Sequence, residues 1–136
     1  MSNITQVVNT DRYLKTLKKG VHASDLDQLL SSRGPFTFFA PNDIAFEKLE
    51  NGLMDGLLEK GNKQKLTDLM NNHIVNGKIL FKDLKDGDKL NTLGGTVLAV
   101  EVKNGKVNIG GAVILEREAR ITNGTIHSTD TVFVKS

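Results

Sequence analysis

A dense apolar run that passes directly into a helix start constrains this chain most tightly: residues 34–49 read GPFTFFAPNDIAFEKL. Phe36-Thr37-Phe38-Phe39-Ala40 combines aromatic and β-branched side chains, which suit a packed, pleated surface, so the segment is expected to be a buried strand. Pro41 is expected to end it. Asn42 can accept a hydrogen bond from the free amides of a following helix, and Asp43 places negative charge where the helix dipole favours it. Phe46 and Leu49 stand three residues apart, so they share a face and can pack back onto the strand. Four of the six Phe residues fall in this stretch, which makes it the expected centre of the core.

Upstream, Ile4, Val7 and Val8 have helical spacing, as do Tyr13, Leu14 and Leu17 after a cap at Thr10 or Asp11. Gly20 is expected to stop that second helix, and Ser24 to cap a third that carries Leu26, Leu29 and Leu30. Gly34-Pro35 then turns the chain into the strand. Downstream, Leu53, Met54, Leu57 and Leu58 fit a short amphipathic turn or two, ended at Gly61. Residues 63–72 predict a longer one, with Leu66, Leu69 and Met70 on one face.

From Asn76-Gly77 onward the hydrophobic period changes from near four to two. Ile79-Leu80-Phe81 is a short apolar run in this strand-rich half, and Asp86-Gly87-Asp88 a turn towards Leu90 and Leu93. Residues 96–102 alternate, with Leu98, Val100 and Val102 on one face. Asn104-Gly105 supplies the positive φ angles of a two-residue hairpin turn, and Lys106-Val107-Asn108-Ile109 returns. Gly110-Gly111 is expected to break the pairing before Val113-Ile114-Leu115, and residues 125–134 supply the last one or two strands. The class is α+β, helices first, with residues 1–136 expected to form a single domain.

Bulk properties exclude several functions. Without Cys there are no disulfides, thiolate metal sites or thiol nucleophiles. A net charge of +2, one Tyr and no Trp argue against nucleic acid as a partner. No apolar run approaches the ~20 residues that cross a bilayer, so no membrane span is expected. The opening Met-Ser-Asn-Ile-Thr-Gln lacks the basic cap and apolar stretch of a secretory signal, so the protein is intracellular or a leader has been removed.

Phe38-Phe39-Ala40-Pro41-Asn42-Asp43-Ile44-Ala45-Phe46 resembles a signature of fasciclin-like domains: an aromatic strand, Ala-Pro, a polar pair, and Ala-Phe opening a helix. A second fasciclin signature, Asn-Gly, an apolar residue before His, and Asp three later, is similar to Asn123-Gly124-Thr125-Ile126-His127-Ser128-Thr129-Asp130. Between them, Asn72-His73-Ile74-Val75-Asn76-Gly77 stands where the family has Tyr-His, two apolar residues and Pro-Gly. Asn72 replaces the Tyr, Asn76 the Pro, and Ser128-Thr129 two residues that are usually apolar. The resemblance implies helices packed on a twisted, mostly antiparallel sheet. It also implies a non-enzymatic adhesion module without cofactor, located extracellularly, in the periplasm or at the cell surface. The implied partner is a cell-surface or matrix protein. A glycan is the alternative, against which the shortage of exposed aromatics counts. Tyr-His is among the segments implicated in receptor binding in animal members, and another precedes the second signature. There this chain has Glu116-Arg117-Glu118-Ala119-Arg120, lacking the family's Asp-Ile pair, so an animal integrin is not expected. The candidate interaction surface is therefore an exposed Asn72-His73 region together with Glu116, Arg117, Glu118 and Arg120, while ligand and oligomeric state stay open.

The remaining polar residues are expected to be structural. Asn123-Gly124 suits a turn. His127, facing opposite to Ile126, is expected to bond to backbone or to Asp130. His73, at a helix end, can donate to a free carbonyl and gain from the dipole when charged. A base and nucleophile built from Asp43, His73, His127 and Ser128 lacks a Gly-x-Ser-x-Gly elbow, and His22, His73 and His127 lack zinc-ligand spacing. Asp86-Gly87-Asp88 is too short for a calcium loop. The pairs Gly94-Gly95 and Gly110-Gly111 lack phosphate-loop spacing and read as strand breaks, and Lys82, Lys85 and Lys89 as a solvated face. Asn3-Ile4-Thr5 and Asn123-Gly124-Thr125 match the glycosylation pattern.

Overall fold

The computed structural model describes residues 3–49 and 52–133, and the side chains of residues 60 and 115–120 lie outside that description. Helices α1 (Ile4–Thr10), α2 (Lys15–Ala23) and α3 (Leu26–Leu29) precede strand β1 (Phe36–Pro41). Helices α4 (Asp43–Glu47), α5 (Leu53–Leu57) and α6 (Lys63–Asn71) follow. Strands β2 (Ile74–Asn76), β3 (Lys89–Asn91), β4 (Val97–Lys103), β5 (Lys106–Ile109), β6 (Ala112–Ile121) and β7 (Gly124–Thr129) complete the order. This is the expected α+β arrangement, helices mainly first.

The sheet order is β2-β1-β7-β6-β5-β4-β3, antiparallel except where β1 runs parallel to β7. Its two ends meet: Val75 of β2 bridges Thr92, just past β3, and the Leu93 amide donates to the Ile74 carbonyl at 2.9 Å. Closing the sheet in this way covers edge groups that would otherwise invite another strand.

β1 is buried along its whole length, which explains why it reads as a continuous apolar run rather than an alternation. Phe36, Phe38 and Ala40 face the helices, in a core with Ile4, Leu17, Met70 and Ile126. Phe39 faces the other way, into a second core with Val100, Ile109 and Phe133. Phe38 and Phe39 are fully enclosed, each worth about 2 kcal/mol of apolar burial. The strand divides two cores and belongs to both.

Pro41 ends β1 as expected, being its last residue, paired with Thr129. Several other local expectations are corrected. Gly20 lies inside α2, where the space left by its missing side chain admits Met54 and Met70. Ser24 closes that helix, its hydroxyl donating to the Gly20 carbonyl at 2.8 Å, and Asp25 precedes α3 at φ 61°. Ile79-Leu80-Phe81 forms no strand; Phe81–Asp83 is a 3₁₀ turn. Gly110 and Gly111, at φ 57° and 86°, join Ile109 to its partner Ala112 and so repeat the hairpin geometry of Asn104-Gly105.

Candidate functional site

The two signature segments lie side by side. β1 and β7 pair in parallel from Phe36 with Gly124 to Pro41 with Thr129, and Phe39 stacks on the His127 ring at 5.5 Å. At the upper end of β1, Asn42 Oδ1 accepts from the Ala45 amide at 2.9 Å and starts α4, whose Phe46 enters the helical core. Asp43 reaches further than expected: its Oδ1 accepts from the Thr16 amide at 2.9 Å and so caps α2. The expected cap at Thr10 or Asp11 is replaced by this contact. Asp11 instead ends α1, with its carboxylate accepting from the Tyr13 amide.

At the lower end, Asn123 is a three-way pin. Its Oδ1 accepts from the Ile4 amide at 3.0 Å, while its Nδ2 donates to the Leu30 and Ser32 carbonyls at 2.7 Å each. The side chain is 5% exposed, so as a glycosylation acceptor it is blocked. Gly124 lies so close to β1 that an added Cβ would stand 1.8 Å from the Phe36 carbonyl oxygen. The Asn-Gly pair thus does more than turn the chain; it ties the start of α1 and the end of α3 to the sheet.

His127 bonds through Nε2 to the Ile79 carbonyl at 2.6 Å, the backbone option. Asp130 serves elsewhere, accepting from the Val113 amide at 2.9 Å and pairing with Lys48 at 3.7 Å. His73 is enclosed and stacked on Phe133 at 4.8 Å. Its Nδ1–H donates to the Leu69 carbonyl at 2.8 Å, and its Nε2 accepts from the Phe133 amide at 3.0 Å. That arrangement defines a neutral ring. Burial pushes its pKa down from 6.5 to about 4, partly opposed by the Leu69 carbonyl, which corrects the expectation of a charged His73 gaining from the dipole.

The Asn72-His73 region is likewise not an exposed loop. Asn72 is 7% exposed, accepts from the Thr96 hydroxyl at 3.1 Å, and packs on Gly94, where a Cβ would meet its Oδ1 at 2.2 Å. The physical reason is the closure of the sheet: the segment after β3 covers the end of α6. The Gly94 position is therefore a close approach as well as a turn. Glu116, Arg117, Glu118 and Arg120 lie on β6, Glu118 level with His127 and Arg120 with Thr125, but their side chains are outside the described residues.

One concavity was not foreseen. A cavity of about 450 Å³ opens between α2, α4 and α5, lined by Lys15, Lys19, Glu47 and Asp55 around Phe46, Met54 and Leu58. Among the described residues, no three His, Asp or Glu side chains gather as a metal site would require, and no helix is long and apolar enough to cross a membrane.

The fasciclin domain family model matches residues 12–135. The chain belongs to the fasciclin domain family. Protein sll1483 of Synechocystis sp. is 37% identical over 131 residues, covering 96% of this chain and 72% of that protein. Transforming growth factor-beta-induced protein ig-h3 of Sus scrofa is 34% identical over 134 residues, 98% of this chain but 19% of that protein. Among solved structures, a FAS1 domain pair of the insect cell adhesion molecule Fasciclin I matches with a TM-score of 0.85 at 18% identity. That match covers 98% of this chain and 51% of the pair, and it shows a shared fold. In this fasciclin chain the two signatures are the paired strands β1 and β7 with their caps.

Proposed function

We propose that this chain is a non-enzymatic adhesion and interaction module, one fasciclin domain over residues 1–136. It works extracellularly, in the periplasm or at the cell surface, and binds a protein or matrix ligand through its outer surface. The observation that carries this reading is the family match over residues 12–135, together with a fold shared with the domain pair of a cell adhesion molecule. The internal chemistry agrees with it. Both ring nitrogens of His73 are spent on backbone groups, Asp43 caps a helix, and His127 holds the Ile79 carbonyl, so these three residues are occupied in holding elements together.

With Asn72 and His73 buried, the remaining sequence candidate is the segment with Glu116, Arg117, Glu118 and Arg120. Pairing of Ile109 with Ala112 and Asn108 with Val113 sets Lys106, the first residue of β5, level with residue 115. Residues 116–120 therefore run on past the end of β5, at a register shift between Ile114 and Glu118. The test is attachment of cells and of matrix proteins to the immobilised chain, with a glycan array alongside. The reading expects attachment that is lost on changing these four residues to Ala with melting unchanged. Unaltered attachment would remove the patch. Binding confined to the glycan array would replace the protein ligand by a carbohydrate, and no attachment at all would remove the function.

A further inference from the structure

Helix α5 presents an unusual surface. Leu53 is 37% exposed, while Met54, Leu57 and the following Leu58 are half-buried and pack against the helical core. Met54 reaches the notch at Gly20, and Leu58 lines both the cavity of about 450 Å³ and a second one of about 260 Å³ on the α6 side. Two further exposed apolar side chains, Tyr13 at 50% and Ile44 at 60%, lie in the same helical layer, brought together by the bond from the Asp43 amide to the Tyr13 carbonyl. Tyr13 and Ile44 thus stand together rather than as scattered surface residues.

The charges around the cavity indicate what covers it. The basic side chains Lys15 and Lys19 come from α2, and the acidic Glu47 and Asp55 from α4 and α5. All four are exposed, and among the described residues none closes an ion pair, although both signs line one cavity. We propose that this face takes a second copy of the chain across a two-fold axis. A two-fold contact requires one patch to complement itself. Here the operator sets the basic helix of one copy against the acidic helices of the other, while Ile44 and Leu53 supply exposed apolar side chains. A patch of one sign would repel its own image. The net charge of +2 offers little opposition to pairing, and a standard contact of about 800 Å² per partner is about a tenth of the 7741 Å² surface.

The proposal stands apart from the identity of any adhesion ligand, and sedimentation velocity on the purified chain from low micromolar to millimolar concentration tests it directly. The expected result is a reversible dimer. Lys15→Glu with Lys19→Glu weakens it roughly tenfold or more, Glu47→Lys with Asp55→Lys does the same, and an equimolar mixture of the two variants restores pairing. Should a variant fail to fold, Ile44→Asp and the salt dependence of the unaltered chain decide, each expected to weaken the dimer. A monomer at every concentration, a dimer indifferent to all these changes, or failure of the folded variants to rescue one another would overturn it.

Discussion

Acidification probes a fully buried polar group, His73. The His73 ring sits between helix α6 and the segment after β7, donating at Nδ1 to Leu69 and accepting at Nε2 from the Phe133 amide. A second ring proton must displace that amide and bring a charge into a fully buried site. Burial accordingly holds the pKa at about 4 instead of 6.5. Between those two values the unfolded chain binds the proton and the folded chain resists it, so stability is full above about pH 6.5, falls as pH drops, and levels off below 4. At about 1.4 kcal/mol per tenfold change in proton affinity, the loss from this one group is about 3 kcal/mol. Urea denaturation across this range, with His73→Gln beside the unaltered chain, isolates it, because the carboxylates contribute alike to both proteins. The variant should start less stable and lose about 3 kcal/mol less on acidification. Parallel profiles would refute the reasoning.

Asn123→Ala strands the Ile4 amide and leaves the Leu30 and Ser32 carbonyls without this donor, and should cost about 3 kcal/mol by urea denaturation. Three glycines should order by what a Cβ meets. Gly124→Ala strikes the Phe36 backbone and should cost more than about 4 kcal/mol, while Gly94→Ala meets the movable Asn72 amide and should cost about 1–2. Gly56→Ala, in the open on α5, should raise the melting temperature by a gain of about 0.5–1 kcal/mol. Asn42→Ala removes the α4 cap and should cost about 1 kcal/mol, read from the same melts.

How far these features were legible depends on the range of the interactions. Phe36 to Ala40 as a buried strand, Asn42 as a cap and Asn104-Gly105 as a hairpin turn rest on neighbours in sequence, and each was readable. Gly20 was misread because its reason lies on α5 and α6, whose methionines fill the space beside it. The capping of α2 by Asp43 joins residues 27 apart, beyond any local pattern. The burial of Asn72 and His73 follows from the sheet closing on itself through Thr92, which periodicity within one strand cannot announce. The charged cavity was invisible for the same reason, since Lys15, Glu47 and Asp55 meet only in the folded chain. A possible clue was the apolar set Leu53, Met54, Leu57 and Leu58, too short to make a full amphipathic helix and richer than a solvated turn needs.

The division of labour between an inner scaffold and an outer recognising surface is tested most directly by His127→Ala, with melting temperature and attachment measured on the same preparation. Loss of the Ile79 contact should lower stability by about 1–3 kcal/mol while attachment per folded molecule stays as it was. Unchanged melting with lost attachment would contradict the account, because His127 would then belong to the recognising surface.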